Sequence, residues 1–142
     1  MDHAVDTLNR LLAAESGSLI HRLGESNPFV NTPAASDYGI VEKMLADVKR
    51  HRHELVEVIL SLRGAPVPPR YATDLGGVHY LKLSFLMPQV IANVRQLVKA
   101  YESAGPTGRP QADALIARIL ADHKRHLAEL EKLHANIAQS AG

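Results

Sequence analysis

Residues 46–55 read ADVKRHRHEL and residues 121–130 read ADHKRHLAEL. Seven of the ten positions are identical, and the strings start 75 residues apart, at 46 and at 121. Around the first copy, apolar residues recur at helical 3/4 spacing: Ile40, Met44, Val48, then Leu55, Val58 and Leu62. Around the second they are Ile116 and Ile119, then Leu130, Leu133 and Ile137. Each string therefore lies in the middle of an amphipathic helix. Each also places a histidine, His51 or His126, where the period calls for an apolar residue.

Glycine and proline cluster in three places: GESNPFVNTPAASD at 24–37, GAPVPPRYATDLGG at 64–77 and GPTGRP at 105–110. Such clusters are loop chemistry, and they cut the chain into four segments of helical period. The first segment runs from about Asp2 to Leu23, with the stripe Val5, Leu8, Leu12, Glu15, Leu19, Leu23. The second runs from about Asp37 to Arg63, with Gly64 as its stop. The third runs from about Tyr80 to Ser103, with the stripe Tyr80, Met87, Ile91, Val94, Val98, Tyr101, and Pro88 either kinks it or marks its start. The fourth begins near Pro110, a natural first-turn residue.

Four amphipathic helices predict an all-α, antiparallel four-helix bundle filling residues 1–142 as a single domain. The link at 105–109 is short, so helices 3 and 4 are expected to be antiparallel neighbours. Residues 64–79, extended, would reach roughly 50 Å at about 3.3 Å per residue. That exceeds a helix of about 25 residues, which is roughly 37 Å long. The helix 2–3 connection can thus cross the whole bundle and set two helical hairpins side by side. The repeated string then sits on the second helix of each hairpin, as duplication of a hairpin would place it.

Composition excludes several classes. There is no cysteine, so disulfides, thiolate metal sites and cysteine nucleophiles are ruled out. A formal charge of +1 gives no field for nucleic acid or for an anionic membrane surface. KRHRH at 49–53 winds around a helix beside Asp47, Glu54 and Glu57 and reads as a solvated face. The N-terminus lacks a basic signal-peptide region and no apolar run is long enough to span a bilayer, so a cytoplasmic location is expected. His53 and Glu57 are four apart, as in a hemerythrin-type site, but lie off the apolar stripe.

Four polar residues fall on the stripes: Glu15, His51, His123 and His126. Each is near the middle of its helix, and the midpoints of antiparallel helices meet at one height. A lone buried carboxylate is costly. Three imidazoles and one carboxylate at one level can instead satisfy each other, or ligate a transition metal. Asp47 and Asp122, each four before its histidine, are candidates to orient those rings or to act as alternative ligands. The competing expectation is a metal-free bundle that keeps a hydrogen-bonded polar core.

The pattern of four helices, a long crossover and a doubled histidine string resembles the ferritin-like superfamily, of the rubrerythrin and bacterioferritin kind. DHKRH at 122–126 and AYESA at 100–104 are more particularly similar to small bacterial ferritin-like proteins. In metal-binding members, helices 1 and 3 each give a Glu, and helices 2 and 4 each give a Glu followed three residues later by His. Glu15, His51 and His126 match that pattern. Val48, His123 and Val94 stand where three further carboxylates would be. Two close dications need bridging anions, so the resemblance implies not a standard di-iron centre but one Fe, Zn, Mn or Cu ion held by Glu15, His51, His123 and His126. It also implies a homodimer, for which SNPFV at 26–30 offers apolar residues.

Overall fold

The computed structural model describes residues 3–17, 35–67 and 83–141. They form four helices: α1 His3–Ser16, α2 Ala35–Ser61, α3 Leu83–Glu102 and α4 Pro110–Ala141. The expected stripe residues Leu19, Leu23 and Tyr80, and the apolar segment at 26–30, lie outside the described residues. Gly17 follows the last helical residue of α1 as a turn. Pro88 does not start α3, which runs through it from Leu83 with the proline on its exposed side.

Contacts between helices fix their directions. Glu15 and Ser16 at the end of α1 meet His51 and Arg52, while Asn9, nearer its start, binds the backbone of Ala65 and Val67 beyond α2. Helices α1 and α2 are therefore antiparallel. Along α2 and α4, Asp47 faces His126, His51 faces Asp122 and Ser61 faces Gln111, again antiparallel. Arg95 with Glu131 and Glu102 with Lys124 make α3 and α4 antiparallel. It follows that α2 and α3, consecutive in sequence, run the same way. The end of α2 and the start of α3 therefore lie toward opposite ends of the bundle, as the expected crossover requires; residues 68–82 themselves lie outside the described residues.

The ends of α2 and α4 show why the chain stops where it does. The C-terminus of α2 closes with Gly64 N–H donating to Ile59 O at 2.9 Å and Arg63 N–H to Leu60 O at 3.0 Å. This is a Schellman arrangement. Its left-handed residue is Arg63, at φ 62°, and not the adjacent Gly64. Gly64 answers a different need: a Cβ there would come within 2.6 and 2.7 Å of the two γ-carbons of Val5. It lets α1 close on α2. At the other turn, Gly105 and Gly108 take φ 65° and 83°. Asp113 in the first turn of α4 reaches back to accept from Thr107 N–H and Oγ1–H, at 2.8 and 2.7 Å, which ties the short link to the helix.

The core has two apolar layers. Leu8, Leu11, Leu12, Leu55, Ile59, Leu115, Ile116 and Ile119 pack around Tyr101 at one end. Met44, Val48, Met87, Val90, Ile91, Val94, Leu97, Leu130 and Leu133 are buried toward the other. Val5, Val58 and Leu62 are only partly buried. Leu11, Ile59, Val90, Leu97 and Leu115, absent from the stripes, are buried because each helix turns more than a single row of side chains inward.

Candidate metal centre

Between those layers lies a polar one. Glu15, His51 and His123 are wholly buried and His126 is 1% exposed. The structure thus brings all four expected residues to one level. Glu15 is the hub. Its Oε1 accepts from Tyr101 O–H at 2.8 Å and lies 2.5 Å from His123 Nε2. His51 Nδ1 is 3.4 Å from the same oxygen, a contact rather than a well-formed hydrogen bond. The rings of His51, His126 and Tyr101 lie 5.0, 5.5 and 5.5 Å from that of His123 between centroids.

The duplicated string explains the rim of this layer. His51 Nε2 meets Asp122 Oδ2 at 2.8 Å, and His126 Nε2 meets Asp47 Oδ2 at 2.8 Å. Each Asp was expected to serve the histidine four residues ahead of it on its own helix. Instead each holds the histidine of the other copy. The arginines follow the same rule: Arg50 bonds Asp122 at 2.9 Å and Arg125 bonds Asp47 at 3.2 Å, while each also lies near the Asp of its own helix. Two antiparallel helices bearing one string face to face make every such pair twice. Glu54 extends the rim by pairing with Arg50 and Arg118. His53 and Glu57 form an exposed ion pair at 2.9 Å along α2.

A carboxylate accepts only, so each rim Asp fixes its histidine with Nε2 protonated, and the Nδ1 lone pair of the neutral ring then faces inward. Burial alone would raise the Glu15 carboxyl, but the contacts to His123 and His51 outweigh it and hold the group at about 2. Burial would likewise lower His51, yet Glu15 and Asp122 on its two sides raise it above the usual range. His126 goes the other way. Burial, helped by the neighbouring His123 and His51, lowers it despite its bond to Asp47. The Tyr101 hydroxyl is pushed well above its usual value by burial and by Glu15.

Four buried atoms of this layer have no hydrogen-bond partner: Glu15 Oε2 and the Nδ1 atoms of His51, His123 and His126. Leaving a buried polar atom unsatisfied costs about 1–3 kcal/mol each. Glu15, His51 and His123 each offer a ligand atom, all within 4.8 Å of one another. His126 belongs to the same layer but stands outside that set. Asp47 and Asp122 lie at the rim, with side chains 21% and 14% exposed, and touch the far side of the rings. Val48 and Val94 are fully buried, so among the described residues Glu15 is the one buried carboxylate. Tyr101 was legible on its stripe, but its bond to Glu15 depends on how α1 and α3 are offset along the bundle axis, which spacing within a helix does not reveal.

No protein-family model matches the chain, and no curated protein matches it. Among solved structures it is similar to a ferritin-like, diiron-carboxylate protein from Bacillus anthracis str. Ames, at 20% identity and TM-score 0.67, covering 92% of this chain and 94% of that one. The fold is an all-α, ferritin-like four-helix bundle.

Proposed function

We propose that the protein binds a single transition-metal ion, of the iron, zinc or manganese kind, in the bundle core through Glu15, His51 and His123, with His126 beside that set. One observation carries this reading: a carboxylate oxygen and three imidazole nitrogens, buried at one level of an apolar core, have no hydrogen-bond partner. The centre is read as a di-iron site reduced to one ion, because Val48, Val94 and His123 leave a lone anion where two adjacent dications would need several. Three protein ligands leave room for a further small ligand on the ion. Bound there, such an ion supplies Lewis acidity and, if iron or manganese, redox capacity. Asp122 holds the His51 ring, Tyr101 and His123 hold the Glu15 carboxylate, and the flanking apolar layers exclude water.

A second reading, a metal-free structural or interaction module, is favoured by one fact: Glu15 Oε1 is already engaged by Tyr101 and His123. Metal content separates the two. Untagged protein should carry or take up about one ion per chain, and His51→Ala should lower that content while helicity survives. Protein that stays metal-free at modest excess of iron, zinc and manganese would establish the second reading. A homodimer in the cytoplasm is the accompanying proposal, and sedimentation equilibrium tests its oligomeric part.

A further inference from the structure

Resting on the metal site proposed above, we infer that its donors select a late divalent ion of the zinc(II) class over manganese(II), and do not hold iron in its trivalent state.

Charge is the first ground. Among the described residues, Glu15 is the one carboxylate in the buried layer. Asp47 and Asp122 add little to its field. They are separated from the interior by the rings they bind, and each is faced by both Arg50 and Arg125, between 2.9 and 3.4 Å. Those two carboxylates and two guanidinium groups cancel as a set. A divalent ion beside Glu15 leaves one net positive charge among apolar layers, and a trivalent ion leaves two. Uncompensated charge in such surroundings is heavily penalised. The positions where further carboxylates would offset it are filled by Val48 and Val94.

Donor type is the second ground. The proposed ligand set is one carboxylate, Glu15, and two imidazoles, His51 and His123. Manganese(II) favours oxygen donors, whereas imidazole suits zinc, copper and nickel, and affinity at a fixed site rises from manganese through iron toward copper and zinc. Asp122 also holds the His51 ring with Nδ1 inward, so that donor is set before any ion arrives. Two histidines and a carboxylate are found around both zinc and iron(II). The shortage of anions is what disfavours iron once oxidised.

The test is a competition. Chelator-stripped, untagged protein is offered equimolar manganese(II), iron(II) and zinc(II) without oxygen, desalted and assayed by elemental mass spectrometry. Zinc should be retained at about one per chain, with manganese at least about tenfold lower. Protein loaded with iron(II) alone should release its iron on exposure to air, and cobalt(II) should give the visible bands of a low-coordinate site. Manganese retained at parity with zinc, or iron(III) that stays bound after oxidation, would overturn the selection while leaving the metal site standing. Failure to take up any ion would overturn both. Val94→Glu adds the missing anion. It should raise retained manganese and iron relative to zinc, and an unchanged ratio would count against the charge argument. If that variant does not fold, the wild-type competition still decides.

Discussion

The two copies of the repeated string have nearly the same residues and different surroundings. On their outer sides they are equivalent: each histidine is held at 2.8 Å by the aspartate of the other copy, and each arginine spans both aspartates. On their inner sides they part. His51 looks onto Glu15, but His126 has no carboxylate bonded at Nδ1. A shift of 79 residues lays Leu8, Leu11, Leu12 and Glu15 on Met87, Val90, Ile91 and Val94, all buried. The counterpart of Glu15 is therefore Val94, and the counterpart of His123 is Val48. What stayed symmetric is the clasp that joins the hairpins. What is asymmetric is the inner layer, whose buried carboxylate lies on the side of α1.

The largest blow to this asymmetry is Glu15→Ala. It removes the buried anion of this layer and should abolish metal uptake, while chemical denaturation of the metal-free protein should show a loss of about 3–5 kcal/mol, the cost of breaking a buried charge pair. Next comes a contrast between equivalent residues. Asp122→Asn loosens a proposed ligand, His51, and should weaken metal binding about 10–100-fold; Asp47→Asn, which loosens His126, should leave affinity within a few-fold by the same competition titration.

Acid titration of the metal-free protein sharpens the comparison further. Glu15 lies at about 2 in the fold against 4.5 when free, so its contribution is complete above the free value and is lost as pH falls toward 2, visible as acid unfolding by circular dichroism. The two histidines should move oppositely in imidazole NMR. His51, raised, keeps its proton above the ordinary value and stabilises the fold on the acid side of 6.5, losing that effect as pH rises. His126, lowered, stays neutral past the ordinary value, and its contribution fades as pH falls. Smallest of all, Arg50→Ala and Arg125→Ala should each cost under about 1 kcal/mol, and by similar amounts, because both side chains are half exposed and the clasp treats them alike.

Much of this centre was legible because period and height are properties of a sequence. Four polar residues interrupt three apolar stripes, His51, His123 and His126 near the middle of α2 and α4 and Glu15 at the end of α1, and antiparallel packing brings them to one level. The difference between Val48 and His123 could be read directly from the two strings. Partnership across helices could not. That Asp47 serves His126 and not His51, or that Tyr101 donates to Glu15, depends on axial offset and ring rotation, which no single helix encodes. Gly64 shows the same limit on a smaller scale. Its position after a helix signalled a stop, but its purpose lies in Val5, far away in the chain.

The crosswise clasp also bears on how the chain reaches its fold. In the fold neither hairpin pairs its own aspartate with its own histidine; the partners are 71 and 79 residues apart and belong to different hairpins. Each half, formed alone, would carry partly buried ionic groups awaiting a match. Contacts of such sequence separation form late and reward only the assembled molecule. The repeat that suggests two independent units thus supplies the bonds that tie the two together.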